Sequence, residues 1–200
     1  MTRVRRVGVY AGTFDPVHPG HVAFCRQALA TCELDEVVIV PERYPRGKGQ
    51  VTDLAHRMAL LQQAVAPLPE LRVVMLESAR FTVQHTLPEL QRLLGDAELT
   101  LLIGSDVVPA MLDHWPDVGR LLQVMPLAVG LRGEDSFTKI VCLLGKVGEA
   151  AGVTPRYTLI ATEHADLASS RIRSGERIAG FTPGMLAYIR RHGLYPQAAG

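Results

Sequence analysis

The sequence predicts an α/β protein with an open parallel β-sheet and helices packed on both of its faces. Short apolar runs rich in strand-forming residues alternate with helix-compatible stretches along most of the 200 residues, which is typical of a parallel sheet with crossover helices. Two of these runs, 37–40 and 101–103, are apolar at every position instead of every second one. Such continuous apolarity is expected of central strands that are covered on both sides.

Each predicted strand is an apolar run, and in order the strands are 4–10, 36–40, 71–76, 98–103, 124–131 and 157–161. The predicted helices lie between or after them, at 22–30, 53–66, 86–94, 138–150 and 182–190. Asp53 is a residue type whose side chain caps a first helical turn. The Pro/Gly-rich segments 41–50 and 130–136 follow strands, so both are expected at the carboxyl edge, where open α/β sheets bind ligands.

Composition bounds the class of protein. A length of 200 residues with 48% hydrophobic content predicts a single domain over 1–200, whose last part from about residue 165 is a small helical segment. The 21 basic and 20 acidic residues leave a net charge of +1, so we expect neither a nucleic-acid nor a membrane partner. Three cysteines without disulfide or zinc spacing favour a cytoplasmic location.

The segment 12–21, Gly-Thr-Phe-Asp-Pro-Val-His-Pro-Gly-His, connects the first predicted strand to the first predicted helix. Pro19 suits a first helical turn, and Gly20 lets a ligand approach the backbone closely. The N–H groups of that turn attract an anion, toward which His18 and His21 can both point. We therefore predict a phosphate site here, with a tight turn and two solvated histidines as the alternative.

Other nucleotide and metal motifs fit the sequence less well than this phosphate site. Gly145-Lys146 is followed by Val147 and lacks the upstream glycine of a P-loop, and no Gly-x-Gly-x-x-Gly follows the first strand. The spacing of His18 and His21 suits two zinc ligands, but no third ligand is evident nearby. The segment is therefore interpreted as a different phosphate cradle.

Two polar clusters follow later strands. Gly104-Ser105-Asp106 comes after an apolar run, and Asp106 is placed either to accept a hydrogen bond from a ribose hydroxyl or to cap the next helix. The segment 169–173, Ser-Ser-Arg-Ile-Arg, offers two hydroxyls and a planar guanidinium, which suit a polyphosphate, although an N-cap followed by a surface helix fits equally.

Trp115, the only tryptophan, either packs in the core or stacks on a flat ligand ring.

Together, the segments 12–21 and 169–173 resemble the paired signatures of the HxGH nucleotidyltransferase superfamily, and within it the chain is similar to the nicotinate mononucleotide adenylyltransferase family. Further matching segments are 35–41, 56–57, 81–82, 103–106 and 192–195. The resemblance implies a Rossmann-like sheet and adenylyl transfer from ATP to nicotinate mononucleotide, giving nicotinate adenine dinucleotide and pyrophosphate in NAD biosynthesis. The alternatives are another phosphorylated acceptor, namely nicotinamide mononucleotide or phosphopantetheine, and a non-catalytic nucleotide-binding sensor.

The same resemblance implies the roles of individual residues. The expected catalytic residues are His18, His21 and Arg173. The expected ATP-binding residues are Gly12, Thr13, Phe14, Gly20, Lys48, Gly104, Asp106, Ser169 and Ser170. The expected acceptor-binding residues are Phe81, Thr82 and Trp115. Magnesium is expected as the ATP complex, with no dedicated protein metal site, the partners are ATP and a pyridine mononucleotide, and a homo-oligomer is compatible with the sequence.

Departures from the family pattern fall mostly on the acceptor side. The segment 44–48, Tyr-Pro-Arg-Gly-Lys, replaces the usual Pro-His-Lys or Pro-His-Arg ending, and Phe81 replaces a common tyrosine. The segment 130–152 lacks the Arg-Pro-Gly pattern that often follows the fifth strand. The sequence therefore supports adenylyl transfer more strongly than it supports the identity of the acceptor.

Overall fold

The computed structural model of the chain describes residues 3–44, 51–78, 80–132, 135–163, 167–175 and 180–195. Within them the strands are β1 (Arg6–Gly12), β2 (Glu36–Pro41), β3 (Leu71–Val73), β4 (Glu98–Gly104), β5 (Leu127–Leu131) and β6 (Tyr157–Ala161). The helices are α1 (Pro19–Thr31), α2 (Leu54–Val65), α3 (Val83–Leu94), α4 (Val108–His114), α5 (Val118–Val124), α6 (Phe137–Ala151), α7 (Ser169–Arg173) and α8 (Pro183–Arg191). A 3₁₀ turn, Ser105–Val107, joins β4 to α4.

The six strands of these residues form one parallel sheet in the order β3-β2-β1-β4-β5-β6. In β1, Val7 lies opposite Glu36 of β2 and opposite Leu99 of β4. The chain fills the sheet on one side of β1 first and then, from β4, on the other side. The reversal between β1 and β4 opens a crevice at the carboxyl ends of the strands, which is the usual ligand position in open α/β sheets.

Helices cover both faces of the sheet. Successive residues of a strand face opposite sides, so Val9 packs into the cluster that includes α3, α4, α5 and α6, whereas Tyr10 packs into the cluster with α1, α2, α7 and α8. Leu101 and Leu102 of β4 divide in the same way. The predicted fold class, an open parallel sheet with helices on both faces, is confirmed.

The ends of several elements differ from the prediction. The predicted strand 124–131 is wrong in its first part, because residues 118–124 form α5 and the strand begins only at Leu127; a short apolar run fits either element. α3 begins at Val83 instead of residue 86, because the Thr82 hydroxyl accepts a hydrogen bond from the His85 N–H at 3.3 Å and so caps the first turn.

The cap predicted for α2 is also wrong. Asp53 does precede the helix, but its side chain makes no capping hydrogen bond, and its backbone carbonyl instead accepts hydrogen bonds from the N–H groups of His56 and Arg57 at 3.1 Å each. None of the helices in the described parts of the chain is long and apolar enough to cross a membrane.

Candidate active site

The β1–α1 loop, residues 13–18, is buried although it has no regular secondary structure. Asp15 is 1% exposed and His18 is 4% exposed. Phe14 adopts a left-handed backbone conformation with a φ of 50°, and the Asp15–Pro16 peptide bond is cis. A buried irregular backbone needs hydrogen-bond partners for its polar groups, and here side chains from α2 and α7 supply several of them.

The second predicted motif binds this loop directly. Ser169 Oγ donates a hydrogen bond to the Pro16 carbonyl oxygen at 2.9 Å, and Arg173 Nη1 donates one to the Asp15 carbonyl oxygen at 2.6 Å. Ala168, not a serine, occupies the N-cap of α7, and no side chain caps that helix, so the alternative of a serine cap is wrong. Two segments that are far apart in the sequence thus lie side by side at the crevice.

The Asp15 side chain anchors the C-terminal part of the chain. Its Oδ1 accepts a hydrogen bond from the Tyr195 hydroxyl at 2.6 Å, and its Oδ2 accepts one from the Thr52 N–H at 3.2 Å. Burial raises the pKa of the Asp15 carboxyl, but these hydrogen bonds outweigh burial and hold the pKa below its usual value. The carboxylate is therefore the form that the fold stabilises.

A buried arginine supports the same loop from beneath. Arg57 is 1% exposed, and its Nη1 donates to the carbonyl oxygens of Thr13 at 2.7 Å and Glu42 at 2.9 Å. Its Nε donates to the Thr52 carbonyl oxygen at 2.8 Å. Burial lowers the pKa of this guanidinium, and the carbonyl dipoles compensate for the lost water. Arg57 therefore fixes the β1–α1 loop relative to the end of β2.

The two motif histidines lie at the start of α1. His18 occupies the N-cap, Pro19 the first helical position, and the His18 N–H donates to His21 Nδ1 at 3.1 Å. Because Nδ1 accepts this hydrogen bond, a neutral His21 ring carries its proton on Nε2. The two ring centroids are 3.7 Å apart, and both residues border a small space of about 20 Å³ together with Gly20 and Gly104.

A cavity of about 470 Å³ lies at the carboxyl edge of the sheet, beside this small space. Its walls contain residues from the three segments 12–21, 104–106 and 169–173, namely Gly12, Thr13, Phe14, His21, Gly104, Asp106, Ser169, Ser170 and Arg173. Phe81 and Trp115 form another part of the wall. His18 does not line this cavity; it borders the small space and a separate cavity of about 520 Å³ on the other side of α1.

Asp106 forms an ion pair with Arg132, and both residues line the cavity. Arg132 Nε lies 3.4 Å from Asp106 Oδ1, and a Cβ on Gly104 would overlap the Asp106 carboxylate and lie 2.9 Å from that Nε. Glycine at this position thus leaves room for the ion pair. The alternative in which Asp106 caps α4 is wrong, because Val107 is the N-cap residue of α4 and no side chain caps that helix.

The three expected acceptor residues are brought together. The Phe81 and Trp115 rings lie 5.7 Å apart between centroids at an angle of 31°. Both, together with Thr82, line a pocket of about 150 Å³, and the two rings also line the larger cavity. Trp115 is half-buried and packs partly on the core, which confirms the packing role, and it also lines the cavity. Stacking of its ring on a ligand stays a prediction.

Comparison with known proteins identifies the family. The cytidylyltransferase-like family model matches residues 9–175, a span that includes both motifs. A probable nicotinate-nucleotide adenylyltransferase of Gemmatimonas aurantiaca is 35% identical, over 95% of this chain and 92% of that protein. A protein of the same name from Chromobacterium violaceum is 36% identical, over 95% of this chain and 98% of that protein. The chain belongs to the cytidylyltransferase-like family, and within it to the nicotinate-nucleotide adenylyltransferases.

Solved structures agree with this family on the fold. The Plasmodium falciparum nicotinic acid mononucleotide adenylyltransferase complexed with NaAD has a TM-score of 0.76 and 18% identity, over 96% of this chain and 98% of that one. The same enzyme complexed with APC has a TM-score of 0.74 and 17% identity over equal shares. The Rossmann-like nucleotidyltransferase fold predicted from the motifs is thereby confirmed.

Two residues of this adenylyltransferase site, Arg57 and Arg132, have no role assigned from the sequence. Arg57 was noted only as part of a matching segment, yet it binds backbone carbonyl oxygens beneath the β1–α1 loop. Arg132 was overlooked because the segment 130–152 departs from the family pattern, although its position directly after β5 points to the ligand edge. Lys48 and most of the segment 43–48, whose closure over substrate the sequence leaves open, lie outside the described residues.

Proposed function

We propose that this protein transfers the adenylyl group of ATP to nicotinate mononucleotide, giving nicotinate adenine dinucleotide and pyrophosphate. The observation that carries the proposal is the cavity of about 470 Å³ in which His21 of the first motif and Arg173 of the second face one space, with the Phe81–Trp115 pair in the same wall. Polyphosphate recognition and an aromatic ring platform are thus available within a single cavity.

The chemistry needs positioning and charge stabilisation more than it needs an enzyme nucleophile. The phosphate of the mononucleotide is already an anion, so its oxygen attacks the α-phosphorus of ATP directly while the bond to the leaving pyrophosphate breaks. Negative charge develops on the oxygens around that phosphorus, and preorganised donors there lower the barrier. No covalent enzyme intermediate is required.

The residues of the two motifs divide this work. His21 is anchored through Nδ1 by the His18 backbone, which directs an Nε2 proton to the phosphates. Arg173 is anchored by the Asp15 carbonyl and presents its charge to the leaving β- and γ-phosphates, with Ser169 and Ser170 beside it.

The backbone at 12–14 and Gly20 line the phosphate cradle, and Gly104 and Asp106 face the adenosine. Thr82 borders the acceptor ring, and Lys48 and His18 add phosphate contacts.

Magnesium enters as part of the ATP complex. Within the described ranges, no group of three or more His, Cys, Asp or Glu residues has the arrangement of a metal site. The carboxylates that line the cavity have other partners: Asp106 pairs with Arg132 and Glu42 accepts the Phe81 N–H. These residues suit a cation that phosphates and water hold. When bound, magnesium neutralises charge on the triphosphate.

We also propose a cellular location and a domain organisation for the enzyme. Cys25, Cys32 and Cys142 are free thiols, which fits the reducing cytoplasm. The C-terminal part, with α7 and Tyr195, contributes to the same site as β1 through Asp15, and we infer that residues 1–200 act as one catalytic unit.

An acceptor panel tests the proposal. Pyrophosphate release from ATP is measured with nicotinate mononucleotide, nicotinamide mononucleotide and phosphopantetheine offered separately. The expected result is the highest kcat/KM with nicotinate mononucleotide. Activity only with phosphopantetheine would overturn the acceptor assignment, and tight ATP binding without turnover of any acceptor would support a non-catalytic sensor instead.

A further inference from the structure

Glu42, the first residue after β2, is hydrogen-bonded to three other parts of the chain: the end of β1, α2 and the segment before α3. Its N–H donates to the Gly12 carbonyl oxygen at 2.9 Å, and its own carbonyl oxygen accepts from Arg57 Nη1 at 2.9 Å. Its side-chain Oε1 accepts from the Phe81 N–H at 2.8 Å. The half-buried residue also lines the cavity of about 470 Å³.

The backbone of Glu42 is fixed relative to the phosphate side of the site. Arg57 binds the carbonyl oxygens of Glu42 and Thr13 with the same Nη1, and the bond to Gly12 continues the pairing of β2 with β1. A shift of the β1–α1 loop relative to Glu42 would break these hydrogen bonds. The carboxylate therefore projects from a point that is held against the first motif.

The segment that the carboxylate binds is joined to the sheet at its start, where the Val74 N–H donates to the Ile39 carbonyl oxygen of β2 at 2.9 Å. Residues 74–82 connect β3 to α3 without a strand or helix in their described part. Glu89 of α3 binds the Ser78 N–H at 3.2 Å and the Ser78 hydroxyl at 2.7 Å, which holds the middle of this segment. Near its end, Glu42 accepts the Phe81 N–H, and Thr86 Oγ1 accepts the Thr82 N–H at 2.9 Å. A hydrogen bond from a backbone N–H to a carboxylate is among the stronger ones, so Glu42 contributes most to the position of Phe81 itself.

We propose that Glu42 is a positioning residue for the acceptor. By holding Phe81, it sets the distance between the Phe81–Trp115 pair and the β1–α1 loop, across which the mononucleotide must reach to bring its phosphate to the α-phosphorus of ATP. This inference rests on the proposed function. A misplaced ring platform weakens acceptor binding and alignment, whereas the ATP contacts stay in place.

The test compares Glu42→Ala, Glu42→Gln and a control, Glu98→Ala. Gln keeps an oxygen acceptor for the Phe81 N–H, and Glu98 is an exposed carboxylate at the amino end of β4, on the opposite edge of the sheet. KM is measured for ATP and for nicotinate mononucleotide. The emission of Trp115, the only tryptophan, is measured without ligand, and urea midpoints show that each variant is folded.

For Glu42→Ala we expect the KM for the mononucleotide to rise about tenfold or more, on the scale of a lost hydrogen bond to a charged group. The KM for ATP should stay within about twofold on the same reasoning, and the Trp115 emission should shift. Glu42→Gln and Glu98→Ala should match the wild type.

Two results overturn the inference: unchanged acceptor KM and Trp115 emission in Glu42→Ala, or equal rises in the KM of both substrates. If the wild type does not turn over nicotinate mononucleotide, the proposed function fails separately. The Trp115 spectra then decide the position of Phe81, and an unchanged spectrum in Glu42→Ala contradicts the assigned role.

Discussion

At the scale of single residues, the site is assembled by side chains that bind backbone carbonyl oxygens. Arg57 binds Thr13, Arg173 binds Asp15, and Ser169 binds Pro16. Each bond fixes the backbone of the β1–α1 loop in place. Preorganisation of this kind is what a reaction that depends on charge stabilisation requires.

His21 is the residue whose loss should affect chemistry most clearly. His21→Ala removes the Nε2 donor that we propose acts at the reacting phosphates, together with the acceptor of the His18 N–H and the ring contacts with Tyr10 and Phe14. We expect kcat to fall about 100-fold or more, as for a lost preorganised donor. Steady-state kinetics and circular dichroism of the purified variant measure this. Wild-type turnover in a correctly folded variant would contradict the role given to His21.

Tyr195 should stabilise the fold through the Asp15 carboxylate. Tyr195→Phe deletes the hydroxyl that donates to Oδ1 at 2.6 Å, and a hydrogen bond to a charged group contributes about 1.5–3 kcal/mol. The free energy of unfolding at pH 7, measured in urea, should fall by about that amount. Tyr157→Phe, on the outer strand β6, is the matched control and should change little.

The pH dependence of this effect has a definite sign. The pKa of Asp15 is lower in the folded protein, so its stabilising contribution is present above the unfolded pKa of about 3.9 and is lost as the pH falls through the folded pKa. The difference between wild type and Tyr195→Phe should therefore shrink below about pH 4. A difference that stays constant down to pH 2 would show that Asp15 is not the partner that matters.

At the scale of elements, the end of β4 is shaped by a residue without a side chain. Gly104→Ala would place a Cβ against the Asp106 carboxylate and Arg132, so we expect the ion pair to separate and the KM for ATP to rise, because Asp106 is expected to face the adenosine. The matched control is Gly145→Ala in α6, where no atom lies within 4 Å of the added Cβ.

The control variant Gly145→Ala should keep its KM for ATP and should not lose stability. Alanine is favoured over glycine inside a helix by about 0.5–1 kcal/mol, so Gly145→Ala should unfold at equal or higher urea concentration with unchanged kinetics. Equal KM values for ATP in the two variants would contradict the role given to the end of β4.

The elements also show what the sequence could predict. Continuously apolar runs identified β2 and β4 because burial on both faces imposes that composition. The first part of 124–131 was predicted wrongly because the last residue of α5, Val124, and the following Met125 continue the apolar run of β5 without a polar residue between them, and only packing decides where such a run changes element. The hydrogen bond from Phe81 to Glu42 joins residues 39 positions apart, and neither residue type specifies such a partner.

At the scale of the whole molecule, the topology determines where the parts of the site meet. Reversal of the strand order between β1 and β4 brings the β1–α1 loop and the end of β4 to one edge, where α7 joins them. That the segments 12–21 and 169–173 line one cavity was predictable, because each contains residue types that suit a phosphate. The individual contacts of Arg57 and Arg132 were not predictable, because they depend on neighbours that only the folded sheet supplies.

The central claim is that this cavity transfers an adenylyl group to a pyridine mononucleotide, and the fate of the α-phosphorus tests it directly. The wild-type chain is incubated with ATP labelled at the α-phosphorus, nicotinate mononucleotide and magnesium, and the products are separated. The account predicts that the label appears in nicotinate adenine dinucleotide while the released pyrophosphate is unlabelled. Label that remains in ATP, or that enters a product only when phosphopantetheine replaces the mononucleotide, would contradict it.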